Sequence, residues 1–163
     1  MARWDEVVAE APALAAAAEE RFRAHRHAVL ATLRADGSPR VSGIETTFAD
    51  GELWLGMMPD SRKGADLRRD PRFALQSGSD DPDDADPSAW PGDAKVAGRA
   101  ELVTDPASIE RFIGHQQQMP PGPFDLFRAD ISELTVIRVG TPADHLVIET
   151  WREGAGVRRV ERK

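Results

Sequence analysis

The sequence predicts a mainly β fold, an antiparallel β-barrel decorated by short helices. Three observations carry that expectation. Short apolar runs recur with tight turns between them, and two successive turns are Asp-Gly pairs, Asp36-Gly37 and Asp50-Gly51, as in an antiparallel meander. Helix-forming stretches stand before and beside the strands instead of alternating with them, which argues against a parallel α/β sheet. At 163 residues, 40% of them hydrophobic, the chain can bury the core of one domain without disulfides or metals.

The elements follow in order. Trp4 to Arg26 (WDEVVAEAPALAAAAEERFRAHR) is rich in Ala, Glu and Arg, which lose little side-chain entropy in a helix, and Pro12 should interrupt it. His27 to Arg34 is a strand, Ala35 to Ser38 a tight turn, and Pro39 to Phe48 a second strand. After Ala49-Asp50-Gly51 a third strand runs from Glu52 to Met58. Ser61 to Arg69 forms a short helix that Asp70-Pro71 stops, because the residue before proline avoids the α region. Arg72 to Ser77 is a fourth strand.

Gly78 to Gly92 (GSDDPDDADPSAWPG) is an acidic, solvated loop. Ala94 to Val103 alternates as a fifth strand, and Asp105-Pro106 opens a helix through about Gln118, broken by Met119-Pro120-Pro121-Gly122-Pro123. Two last strands, Ser132 to Val139 and His145 to Trp151, precede a basic tail. The whole chain, 1–163, is expected to be one domain: a helical segment (1–26), the barrel with its helices (27–151) and the tail (152–163).

Composition narrows the chemistry. Cysteine is absent, so thiol catalysis and thiolate metal sites are excluded, in keeping with a reducing cytoplasm. Tyrosine is absent too, which leaves the aromatic roles to four Trp and six Phe. The net charge of −7 argues against nucleic acid as a partner. Neither a basic-then-apolar leader nor an apolar run of the roughly 18 residues a membrane span needs is present. The reading is a soluble, unexported, cytoplasmic protein.

Against that acidic background, DSRKGADLRRDPRFAL gathers Arg62, Lys63, Arg68, Arg69 and Arg72 just after the third strand. The first N–H groups of a helix lack internal partners and the helix dipole is positive there, so Ser61-Arg62-Lys63 can meet an anion with a hydroxyl, a planar fork and a point charge. A plain alternative also stands: Asp60 or Ser61 caps the helix, and the basic residues pair with Asp66 and Asp70 on a solvated face. Arg68, Arg69 and Arg72 fit the surface better than a site.

The succession ATLRADGSPRVSG, ELWLGMM, PDSRKGADLRRDPRFAL and AKVAGRAELV resembles the pyridoxamine 5′-phosphate oxidase-like family of split β-barrel proteins, which includes flavin- and deazaflavin (F420)-dependent oxidoreductases. The resemblance is clear over about His27 to Val103 and weaker around Ile148 to Trp151. It implies a homodimer with the cofactor across the interface and its phosphate gripped by Ser61, Arg62 and Lys63. It further implies that Val41, Ser42, Gly43 and Ile44 of the second strand line the ring with backbone groups, Arg40 standing close by. Gly56 and Met57 would border the cofactor on the third strand. Gly43 and Gly56 would suit close approach of a flat ring, or else mark a bulge or strand twist. Trp151 matches an aromatic position that reaches the cofactor from the partner subunit, and equally a large core residue.

One departure matters. The family's vitamin B6 phosphate oxidases carry Arg-Leu-His-Asp-Arg shortly after that Trp, where this chain has Val157-Arg158-Arg159-Val160-Glu161-Arg162, so that reaction is not implied, although Arg159 or Arg162 can still meet an anion. FMN is the first expectation for the cofactor and F420 the alternative. A flavin oxidoreductase would place its substrate on the exposed ring face, under the Trp90 loop or the Pro120-Pro121-Gly122-Pro123 segment. A non-catalytic binder of flavin or haem on the same barrel is the competing class. The four histidines, His25, His27, His115 and His145, form no metal-like pair, and no hydrolase elbow or nucleotide-binding glycine loop occurs.

Overall fold

The computed structural model describes residues 1–118 and 121–163; Met119 and Pro120, part of the expected helix breaker, lie outside the described residues. Two helices open the chain, α1 (Trp4–Glu10) and α2 (Pro12–Ala24), separated where Pro12 was expected to interrupt them. Asp5 and Glu6 lie in the first turn of α1, where the helix dipole favours negative charge. Leu14, Ala15, Ala18 and Phe22 form the buried face of α2, which packs on the barrel. Phe48 stands 4.7 Å from the Trp4 ring and 5.6 Å from Phe22, fastening the helical layer to the second strand.

The barrel strands are β1 (His27–Leu33), β2 (Pro39–Ala49), β3 (Glu52–Met57), β4 (Arg72–Gln76), β5 (Asp93–Leu102) and β6 (Asp125–Val139). Helix α3 (Arg62–Arg69) joins β3 to β4, and α4 (Pro106–Gly114) joins β5 to β6. All pairings are antiparallel in the order β3-β2-β1-β4-β5-β6, and β3 pairs with β6 to close six strands into a barrel. Gly37 and Gly51 take positive φ (81° and 75°), as the two Asp-Gly turns require. A bulge in β6 at Ser132, opposite Ala97 and Gly98 of β5, helps the sheet curl; a Cβ at Gly98 would stand 2.1 Å from the Asp130 carbonyl oxygen. Leu30, Leu53, Leu55, Leu75, Val96, Phe127, Ile131 and Leu134 fill the interior.

β3 is covered on both faces. Leu53, Leu55 and Met57 point into the barrel, while Trp54 joins Phe112, Val103 and Leu126 in a second apolar cluster under α4. Double coverage explains its continuous apolar run.

Three expectations need correcting. α4 ends at Gly114, not Gln118; His115 and Gln116 continue in a turn, and the His115 ring meets the Asp50 carboxylate at 2.9 Å. β6 begins at Asp125, not Ser132, because Phe127, Ala129 and Ile131 point inward between charged neighbours. The basic tail is the strand β8 (Gly156–Arg162), a hairpin with β7 (Leu146–Arg152) on the outer part of β6. Its exposed, polar residues give no period-two apolar signal. Among the described residues no helix is long and apolar enough to cross a membrane.

Candidate functional site

The chain leaves β3 through Pro59 and Asp60, whose φ of +57° is in the left-handed region, which Asp tolerates better than most non-glycine residues. Ser61 then caps α3, its Oγ accepting from Gly64 N at 3.2 Å. Gly64 is closely surrounded, since a Cβ there would lie 3.0 Å from Ser61 Oγ and 3.2 Å from Asp125 Oδ2.

The five basic residues of this stretch divide in two. Arg68 forks onto Asp125 at 2.9 and 2.6 Å, Arg69 donates to Asp66 at 3.0 Å, and Arg72 holds Asp70 at 2.6 Å. Hydrogen bonds from Arg72 keep the Asp70 carboxyl at about 2. Arg62, by contrast, is exposed and has no acidic or hydrogen-bonding partner among the described residues, while the Lys63 ammonium donates only to the Gly43 carbonyl, at 3.1 Å. Among the described residues, two cations at the start of α3 therefore lack counter-charges.

Lys63 reaches an unpaired edge. β3 pairs with β2 only over Thr46–Ala49, so Pro39–Glu45 is paired with β1 on one side alone. A strand residue directs its N–H and C=O to the same side, and the side alternates along the chain. Because the Gly43 carbonyl faces Lys63, the backbone groups of Val41, Gly43 and Glu45 share the open side. Val41 is 70% exposed, and a Cβ at Gly43 would meet nothing within 4 Å. Arg40, on the same strand, is ion-paired through its Nε to Asp66 at 2.6 Å.

The sequence-predicted residues therefore separate. Arg40, Val41, Ser42, Gly43, Ser61, Arg62 and Lys63 lie along the β2 edge and the start of α3. Ile44 follows on β2 with its side chain in the core, and by the same alternation its N–H and C=O, like those of Ser42, turn to β1 and not to the open side. The Met57 side chain is in the core as well. At Gly56 a Cβ would stand 3.0 Å from Phe112 Cζ, so a side chain of α4 already takes the space that the missing side chain leaves. Trp151 is 0% exposed in the core, its indole N–H donating to Glu10 at 2.8 Å; of its two readings the core residue is the one that the fold realises. Arg159 pairs with Glu161 on β8. The Trp90 indole donates to Asp80 O within its own loop, and Pro120 lies outside the described residues. One of the two sequence readings paired Asp66 with basic residues on a solvated face; Asp66 does bond Arg69, but it is buried on the barrel side of α3, and its place one turn after Lys63 and beside Leu67 was the available signal.

The sequence profile of the pyridoxamine 5′-phosphate oxidase family matches residues 14–138, from the first turn of α2 to the penultimate residue of β6. The chain belongs to that family. Among solved structures the family member superposes on PhzG from Burkholderia lata 383 in complex with tetrahydrophenazine-1-carboxylic acid with a TM-score of 0.60 at 14% identity, over 98% of this chain and 93% of that one. A heme binding protein from Mycobacterium smegmatis gives 0.57 at 17% identity, over 90% and 87%. General Stress Protein 26 from Bacillus anthracis str. Sterne gives 0.55 at 17%, over 74% and 91%. At these identities the likeness is one of fold. No curated protein matches the sequence.

Proposed function

We propose that the protein is a flavin-dependent oxidoreductase that binds FMN between two copies of the chain and transfers hydride to or from a small molecule. The observation that carries this reading is the meeting of an unpaired strand edge with cations that lack counter-charges among the described residues: the open backbone groups of Val41, Gly43 and Glu45 lie beside Lys63, which reaches Gly43, with Arg62 preceding it at the start of α3. A flat heteroaromatic ring with its own donors and acceptors satisfies such an edge, and a phosphate arm satisfies the helix start. The space beside Gly43 fits that group, since a Cβ there would touch nothing. Bound FMN would supply the redox chemistry; the chain would supply position, electrostatics and exclusion of water. Ser61, Arg62 and Lys63 would hold the phosphate, with Arg40 beside them, and the β2 backbone would hold the ring edge. Gly56, Met57 and Trp151 are left out of this set.

A second copy is part of the proposal. Val29 and Val41 project outward from the adjacent strands β1 and β2, and Met58, 78% exposed, stands before the turn into α3. Exposed apolar side chains beside unpaired polar groups are what an interface covers.

F420, the alternative, also carries a phosphate at the end of its ribityl-type arm, which the same clamp would hold. Haem binding without catalysis is the second reading, favoured by the fold shared with the heme binding protein. Mass spectrometry of whatever copurifies, with titrations of FMN, F420 and haem, separates these. FMN bound stoichiometrically by a dimer supports the proposal; a Soret band and no flavin binding overturns it.

A further inference from the structure

Asp66 is a carboxylate nearly removed from water, 3% exposed, on the face of α3 turned toward the barrel. It accepts three hydrogen bonds: from Thr32 Oγ1 on β1 at 2.8 Å, from Arg40 Nε on β2 at 2.6 Å and from Arg69 Nη2 at 3.0 Å. Arg69 Nη2 also donates to the Leu33 carbonyl at 2.5 Å. Burial alone would raise the carboxyl, but hydrogen bonds from Arg40, Arg69 and Thr32 outweigh it and hold the group below the ordinary aspartate range. A buried ion pair of this kind is weak evidence of a purely stabilising role, because well-packed apolar residues often do as well.

What the arrangement accomplishes is visible at Arg40. Only Nε is engaged; among the described residues nothing bonds Nη1 or Nη2, and neither is sealed from solvent. Those two nitrogens are the pair that a guanidinium offers to two oxygens of a phosphate. Lys63 and Asp66, one turn apart on α3, reach Gly43 and Arg40, three residues apart on β2, so the helix is fastened to the open edge at two points. We infer that Asp66 is a positioning residue: it fixes the Arg40 guanidinium by Nε so that the two outer nitrogens are presented to the cofactor phosphate, without itself touching the cofactor. The inference rests on the phosphate clamp proposed above.

The test compares dissociation constants for FMN and for riboflavin, which has the same ring without the phosphate, in the full-length protein. Asp66→Asn keeps the shape of the side chain and should weaken FMN about tenfold, the low end for losing a hydrogen bond to a charged group, while leaving riboflavin unchanged. In an Arg40→Ala background the same substitution should have no further effect on the ratio. Thr32→Val, which removes one donor to Asp66, should shift the ratio in the same direction by less, and it carries the test if the first variant fails to fold. A wild-type preference for FMN that survives both substitutions, an equal loss of both ligands, or an additive effect in the Arg40→Ala background overturns the inference alone. A wild-type protein that binds FMN and riboflavin equally overturns the clamp itself, and the inference with it.

Discussion

Gly43 and Gly56 are the same residue on adjacent strands, and both suit close approach of a flat ring when only sequence is considered. In the fold they have opposite surroundings. Phe112 of α4 stands over Gly56, and Trp54, Val103 and Leu126 complete a dry cluster there. Gly43 faces open space on a strand edge that β3 does not reach, within hydrogen-bonding distance of Lys63. One side of the barrel is sealed and the other is left unfinished. A glycine in a strand thus marks a close neighbour or a vacancy, and only the neighbouring element decides between them.

Substitutions on the two sides should separate stability from ligand binding. Phe112→Ala, on the sealed side, should destabilise by about 3–5 kcal/mol in denaturant unfolding through the cavity it leaves, with FMN affinity retained by the folded fraction. Arg62→Ala with Lys63→Ala, on the open side, should weaken FMN by about a hundredfold or more in fluorescence titration, since charge-assisted hydrogen bonds are lost, while the melting temperature hardly moves. A large loss of stability in that variant would mean that the cations serve the fold. Gly56→Ala forces the Phe112 ring to shift and should cost about 1–3 kcal/mol by the same unfolding assay. Gly43→Ala should leave stability within about 1 kcal/mol of wild type and still weaken FMN, because its methyl group enters the space assigned to the ring. If the two glycine variants behaved alike, the contrast between the sides would fail.

The smallest effect concerns pH. Hydrogen bonds from Arg128, then Arg3, hold Glu101 at about 2 against an ordinary 4.5. A carboxyl whose folded-state pKa is depressed contributes stability above its ordinary value and loses it as pH falls toward the folded-state value. Thermal melts between about pH 5 and about pH 2 should therefore decline less steeply in Glu101→Gln, by a modest amount because the pair is solvent-screened. FMN affinity should not follow that change, since the Arg128–Glu101 pair joins β5 and β6 away from the β2 edge.

Much of this arrangement was legible in the residues. Asp-Gly turns announced the meander, and Asp70-Pro71 and Pro12 announced helix boundaries, because local backbone preferences act over a few residues. The pairing of Arg69 with Asp66 and of Arg72 with Asp70 could also be read, since each acid lies within three residues, whereas the Arg68 partner Asp125 is 57 residues away. What escaped depends on contacts between distant segments. The first half of β6 was hidden by Arg128 and Asp130 at its outward positions. The hairpin strand β8 has no apolar face to reveal it. Phe112 over Gly56 joins residues 56 positions apart in the chain, and the Asp66 network joins three elements, so neither leaves a local pattern.

The most direct test of the account is a backbone amide NMR titration with FMN. If the open edge and the start of α3 form the site, the largest shifts on adding FMN fall on Val41, Gly43, Arg62, Lys63 and Gly64, and riboflavin reproduces those on β2 but not those on α3. Shifts concentrated around Phe112 and Gly56, or on the β7–β8 hairpin, would contradict it.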